Sequence, residues 1–512
     1  MNNRSRTYNT ALNASVNILV QFVTLIINFA TRKIFIVTFG ENYLGISGLY
    51  SNILSVLSLA ELGVGSAILY CMYKPVAEKD FKKISALVNY YKKLYRVIGF
   101  SVAVIGLAVV PFLKYLVKIE ADIGNITLYY LLYLTNVVSS YFLVYKTSIL
   151  TADQKNYIIK ICTAVIQIIQ FIVLTVIAFL IKNYTVYLAA HIGFSVITNY
   201  VCSRIAVRKY PFIVNSEKLS DEEKRSIWKN IQAMFSYQIG NVAVNNTDNI
   251  LISVMVNTVM VGYYSNYSMV ISAVSTFVML LFTSTQASIG NLAAQKDENR
   301  QYDIFKKISA VSFCVTSFSV VSFVALFQDF ITIMYTSHYL LDFKTVLVCA
   351  LNFYLVNILY PIYCFRNTVG LFRNTKMIMV YTAVINIILS VILGKICGLF
   401  GILIATSISR ICTNFWYEPI KLYKIYFKKN VSHYFLKQLK YFLLTVLMTL
   451  TVIGCSCLMV KMNIYIRFVL KILICILLSL AVFYAMYGKT EFFISIKESV
   501  RNKITRVIKK IN

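Results

Sequence analysis

The feature that most constrains this chain is an apolar run of about 20 residues that recurs from one end to the other. A helix of that length rises about 30 Å, the thickness of a bilayer's hydrocarbon core. We place such spans at 12–37, 44–70, 95–117, 127–149, 157–181, 185–207, 233–256 and 263–288. Further spans fall at 309–333, 346–366, 377–396, 399–417, 441–460 and 465–487, about fourteen in all. The runs are continuously apolar instead of alternating in ten-residue strips, which excludes a barrel. The predicted fold class is therefore an all-α polytopic membrane protein. Composition agrees: 14% of residues are charged, against about 25% in soluble domains.

The formal charge of +30 might suggest a nucleic-acid partner, but its placement does not. With the amino terminus in the cytoplasm, about 39 of the 50 Lys and Arg fall on the inner side and about 8 on the outer. The inner groups are KDFKK at 79–83 with Lys92, Lys93 and Arg96, then 204–229, 421–440 and the tail RNKITRVIKK. Orientation and attraction to anionic membrane lipid account for this basicity, with both termini cytoplasmic and no nucleic acid. Residues 1–11 are polar and the helix after them is too long for a signal peptide, so the first span is expected to be retained.

The 11 cysteines show no CxxC pair and no histidine cluster beside them, so neither disulfides nor a metal site is expected. There is no Gly-rich phosphate loop, no HExxH and no nucleophile–base pairing, so neither an enzyme nor a cofactor is expected.

Sliding the first span onto the seventh at a constant offset of 217 pairs Gln21 with Gln238 and Asn28 with Asn245. It continues with Gly45 on Gly262, Tyr50 on Tyr267 and Ser55 on Ser272. This repeat predicts an N-lobe at 1–207, a cytoplasmic linker at 208–232 and a C-lobe at 233–417. A loop with two appended spans follows at 418–487, then a basic tail at 488–512. Six spans per lobe is an even number, so the lobes would be related by an axis along the membrane normal.

At 100° per residue, Asn13, Asn17, Gln21, Asn28 and Arg32 share one face of the first span, and Lys33 points elsewhere. In the seventh span Gln238, Asn241, Asn245, Asp248 and Asn249 cluster in the same way. Amides on a membrane helix can join helices through hydrogen bonds, or they can line a water-filled cavity. Two matched stripes, each ending in a charge, fit the cavity better. For Arg32 the alternative is snorkelling at the outer interface, which suits Lys33 more. Arg32 falls opposite Asn249, beside Asp248, where an Arg–Asp pair would neutralise both charges. Glu61 in the second span is either an ion site or a hydrogen-bonding partner of a neighbouring helix. His191 reads as an interhelical hydrogen-bonder, and Arg366 and Arg373 flank NTVGLF after the tenth span. Arg410 shares a face with Asn414, and Pro361 inside the tenth span marks a kink or hinge.

Together the stretches TRKIF, LGISGLYSNIL, LAELGVGSAILY, NNTDNILIS and VGYYSNYSMV, with the GLF turn at 370–372, resemble one family. It is the polysaccharide repeat-unit flippases of the MOP superfamily, and the likeness covers nearly the whole chain. The resemblance implies a V-shaped, MATE-like fold of two lobes in the bacterial cytoplasmic membrane. It implies alternating-access transfer of undecaprenyl-diphosphate-linked oligosaccharide for capsule, O-antigen or exopolysaccharide assembly, alongside polysaccharide polymerase machinery. On that reading Arg32, with Arg410 or Arg366, binds the diphosphate, because a guanidinium pairs bidentately with phosphate oxygens. Gln21, Asn28, Asn241, Asn245 and Asn249 would serve sugar hydroxyls, and Asp248 or Glu61 would couple H+ or Na+.

A peptidoglycan-precursor flippase and a MATE-type drug antiporter of the same superfamily are the rival readings. The antiporter reading predicts twelve spans and a mainly acidic cavity. A membrane polymerase or glycosyltransferase would need a sizeable outer loop, and none here exceeds about a dozen residues.

Overall fold

A computed structural model describes residues 6–489 except 62–63, 120, 216, 284–288, 290–297, 370, 372–374 and 376. The described chain is all-α, with no strand among the described residues. In chain order the long helices are α1 (Arg6–Phe39), α2 (Glu41–Leu57), α3 (Val64–Glu78), α4 (Phe81–Val109) and α5 (Ile126–Tyr141). They continue with α6 (Asn156–Leu180), α7 (Tyr184–Lys209), α8 (Asp221–Met255), α9 (Thr258–Thr283) and α10 (Glu298–Tyr335). The rest are α11 (Phe343–Asn357), α12 (Tyr360–Thr368), α13 (Ile378–Cys412), α14 (Asn414–Leu422), α15 (Ser432–Leu458) and α16 (Ile464–Tyr487).

Local chemistry sets the ends. Gly40, at φ +82°, makes the turn between α1 and α2 that a side chain would strain. Asp80 caps α4 by accepting from the Lys83 N–H at 2.9 Å. At α8, Ser220 and Glu223 form a reciprocal capping box.

The described residues of the fourteen expected spans are largely helical, but among the described residues ten helices are long and apolar enough to cross a membrane. The number is eleven if the bent pair Ile126–Tyr141 and Val144–Ala152 is one span. The expectation of about fourteen exceeds this for three reasons. The second span is interrupted between α2 and α3, around a short turn at Ser58–Glu61. The amides of α8 dilute its hydropathy. The stretch Ile378–Phe427 counts once, although Gly398 (φ +57°) turns the backbone inside it, between the spans expected at 377–396 and 399–417.

The chain separates into two compact units. The first is Met1–Ser265 with Met379–Ile402, and the second is Asn266–Ile378 with Leu403–Asn512. The boundary thus runs through α9 and α13. In lipid the apolar tails offer helices no hydrophobic reason to associate, so close packing and hydrogen bonds must do it.

In the first unit, close packing depends on glycine. A Cβ at Gly45 would lie 2.2 Å from the Thr258 carbonyl oxygen, and one at Gly262 would lie 3.0 Å from Gly45 N. The two glycines that the repeat pairs therefore meet back to back, where α2 crosses the start of α9. Gly240 of α8 is seated just as closely against the Met379–Val380 backbone.

In the second unit, α15 and α16 pack on α10. Val321 and Ala325 of α10, Met448 and Val452 of α15, and Cys475 of α16 form one buried cluster. Phe313 stacks on Tyr441 at 4.1 Å, and Ser317 shares a hydrogen bond with Thr445. The helix pair that looked appended in the sequence is built into this unit's core.

Candidate functional site

The polar face of α1 divides along its length. The Asn13 amide donates to the Gln154 carbonyl at 2.7 Å, and its oxygen accepts from the Tyr157 N–H at 2.8 Å. Thr24, on the same face, donates to Gln167 Oε1 at 3.0 Å. These bonds join α1 to α6 and its entry turn, the helix-joining use of such residues. Beyond them the face opens: Gln21 and Arg32 are half-buried and Asn28 is exposed. Arg32 Nη2 donates to the Ser265 hydroxyl, and Lys33 is exposed.

The matching helix α8 buries Asp248 and Asn249, at 7% and 9% exposure. The side chains of Gln238, Asn241 and Asn245 lie outside the described residues. Beyond this face, Ser253 donates to the Leu116 carbonyl at 2.6 Å, and Thr258 donates its N–H to the Lys118 carbonyl at 3.1 Å and accepts the Lys118 N–H at its hydroxyl at 2.8 Å. That ties the α8–α9 turn to the residues at 116–118 that follow α4. The Tyr263 hydroxyl reaches the Glu41 carboxylate at the start of α2.

Glu61 sits in the turn between α2 and α3 and accepts from the Tyr95 hydroxyl at 2.6 Å, which itself accepts from Tyr91 at 2.7 Å. A carboxylate at the end of a two-hydroxyl chain is held in one orientation by α4. His191 is half-buried on α7.

The second unit holds the other candidates. Arg366 is 4% exposed, and its Nη1 donates to Glu418 Oε1 at 2.7 Å. Its Nε and Nη2 both donate to Asn367 Oδ1, at 3.2 and 3.0 Å. Arg366 is thus committed to a buried pair joining α12 to α14. Arg373 and part of the GLF turn lie outside the described residues. Arg410 is half-buried near the end of α13, and Asn414 is buried at the start of α14. Pro361 occupies the first turn of α12, just after the break at 358–359 that separates it from α11. A proline there fits the fixed φ and absent N–H of that position. The interruption therefore precedes the proline instead of being centred on it.

Two buried acids went unread in the sequence, along with the α16 cations that one of them holds. Asp329 of α10 is 3% exposed and holds two cations from α16: Arg467 Nη2 at 2.5 Å and Lys471 Nζ at 2.7 Å. Glu418 is the other. The signal was available, since an acid in the expected ninth span and two cations in the fourteenth must find partners in hydrocarbon. Among the described residues no three His, Cys, Asp or Glu come together to hold a metal.

No protein-family model matches the sequence. No curated protein matches it either. Solved structures do. The lipid II flippase MurJ, in an inward closed conformation, aligns with a TM-score of 0.65 at 17% identity, over 92% of this chain and 99% of that one. An inward-facing multidrug resistance MATE family transporter of the MOP superfamily aligns at 0.63 and 14% identity, over 82% and 100%. The Vibrio cholerae MATE transporter VcmN aligns at 0.55 and 12% identity, over 83% and 99%. At such identities the likeness is one of fold, and the chain has the MATE-like fold that these transporters share.

Proposed function

We propose that this chain is a flippase for a lipid-linked oligosaccharide carried on undecaprenyl diphosphate, working by alternating access in a bacterial cytoplasmic membrane. The observation that carries the reading is the extent of the fold likeness to a lipid II flippase. It leaves too little of the chain uncovered to omit the α15–α16 pair, whereas the MATE matches stop at 82–83%. A carrier of diphosphate-linked sugar needs a cation for the phosphates, amides for the hydroxyls and an exit for the lipid tail. Arg32, half-buried beside exposed Asn28 on α1, is the cation we assign to the diphosphate, because guanidinium groups bind phosphate oxygens in bidentate, charge-assisted pairs. Gln21 and Asn249 join Asn28 as sugar contacts, with Asp248 or Glu61 as the coupling site for H+ or Na+. The six-span lobes 1–207 and 233–417, joined by the linker 208–232, are the moving bodies we assign from the sequence repeat, a division that differs from the compact units in grouping 233–265 with the second body.

The fold likeness to MurJ also favours a second reading, a peptidoglycan-precursor flippase. Deleting the gene separates the two. The first reading expects lipid-linked repeat units to accumulate on the inner leaflet while peptidoglycan synthesis stays normal. Accumulated peptidoglycan precursor would select the second reading. A change confined to drug sensitivity would overturn both in favour of efflux.

A further inference from the structure

Away from the α1 and α8 faces, α6 and α7 pack side by side and leave an apolar groove of about 500 Å³ between them. Its walls include Tyr157, Ile161 and Val165 of α6 and Ile197, Val201 and Ile205 of α7. Ile161, Val165 and Ile197 remain 45–51% exposed, so none of the described residues covers the groove. Among the described residues no amide or acid lines it, so it offers hydrocarbon contact in place of sugar recognition.

Cations gather at the groove's inner end. Arg204 and Arg208 follow the groove residues Val201 and Ile205 by three positions each on the same helix, and both are exposed. Arg204 is held by a hydrogen bond from its Nε to the Tyr200 hydroxyl at 2.9 Å, with its guanidinium 5.4 Å from that ring's centre. The turn Val144–Thr147 packs against both α7 and α4, bringing half-buried Lys146 within electrostatic reach of Arg204 and Lys92. Among the described residues none of these four cations has an acidic partner. The acid on the neighbouring turn, Asp153, is already engaged by Lys155 at 2.5 Å and by the Tyr210 hydroxyl.

We infer that this groove and its cationic end form a binding site for an anionic phospholipid of the inner leaflet. One acyl chain fills the groove, and the headgroup phosphate rests on Arg204 with Lys146, Lys92 and Arg208 around it. The chemistry is charge-assisted hydrogen bonding to phosphate at one end and dispersion contact along the other. This goes beyond the general attraction of a basic inner face, because it ties one lipid to one groove. It does not depend on the flippase reading. The lipid is a resident of the transporter, not its cargo, because the groove lacks any group that would recognise sugar.

The test is native mass spectrometry on the full-length protein in detergent, with phosphatidylglycerol, phosphatidylcholine and undecaprenyl phosphate added separately and in competition. Wild type should retain phosphatidylglycerol in preference to phosphatidylcholine. The double variant R204Q/K146Q should lose about 25-fold in phosphatidylglycerol retention and little in phosphatidylcholine retention, since each cation near a membrane surface adds about a fivefold preference. Val201→Trp, which fills the groove and leaves the cations in place, should lower phosphatidylglycerol retention independently. Equal retention by wild type and both variants would overturn the site. Displacement of phosphatidylglycerol by undecaprenyl phosphate, with the same variant dependence, would overturn the occupant and assign the groove to the substrate's tail. Either result leaves the flippase reading standing.

Discussion

In the first unit, Arg32 is half-exposed and gives a hydrogen bond to a serine hydroxyl, while Glu61 takes one from a tyrosine. In the second unit, Arg366 is 4% exposed and grips Glu418, and Asp329 at 3% exposure grips Arg467 and Lys471. The helices that carry these groups differ in the same sense. The apolar window of α1 is 11% buried, and that of α10 is 67% buried. A charge sheltered among helices must be neutralised by another charge, because removing one partner strands the other in a low dielectric. A charge on a face that stays open keeps part of its surface in contact with something outside the fold. Burial thus separates charges locked into ion pairs between helices from charges on a face that stays open.

The sharpest way to break it is Asp329→Asn. Two cations of α16 would lose their carboxylate inside the unit, at a cost of about 3–5 kcal/mol for a buried pair. Thermal unfolding in detergent should show the midpoint falling further for this variant than for any other discussed here. An unchanged midpoint would mean that the Asp329 cluster is not what fastens α16 to α10.

Arg366 and Glu418 come next. Arg366→Met alone should destabilise by about 3 kcal/mol, because Glu418 is left buried without its cation. The double variant R366M/E418L should regain most of that stability, since well-packed apolar residues replace buried ion pairs at little cost. If the double variant is stable yet cannot export, the pair belongs with the ligand-facing charges and the comparison fails at this point. A smaller effect is expected at Gly45→Ala, about 1–3 kcal/mol from overpacking, since its Cβ would sit 2.2 Å from the Thr258 oxygen. Gly262→Ala, facing a 3.0 Å contact, should cost less.

How far the sequence revealed these things follows from what each depends on. Helices were legible because lipid demands one long apolar run per crossing, and even the turn at Gly398 falls between two expected spans. Asn13 and Arg32 were legible as one polar face, because helical periodicity is local. That Asn13 serves packing against α6 while Asn28 stays exposed was not legible, since it depends on a neighbour about 140 positions away. Asp329, Arg467 and Lys471 were each visible as charges inside expected spans, but their meeting depends on how α16 docks on α10. Glu418 followed directly on the expected twelfth span, where a carboxylate looks like an ordinary loop residue until its pairing with Arg366 is known.

The smallest expected effect on stability is also the one that decides most about function. Arg32→Ala removes a side chain that is half-exposed on the open face of α1, so unfolding should shift by no more than about 0.5 kcal/mol. If Arg32 meets a diphosphate, the same variant should abolish export of lipid-linked oligosaccharide in cells, measured as repeat units trapped on the inner leaflet. Arg32→Lys sharpens the point, because lysine keeps the charge and loses the planar fork that pairs with two phosphate oxygens. Partial export by the lysine variant with none by the alanine variant would identify a charge contact. Equal loss in both would identify a bidentate one. Normal export by Arg32→Ala would place Arg32 with Lys33 as an interfacial anchor, and an open-faced charge would then no longer be a guide to where this fold meets its cargo.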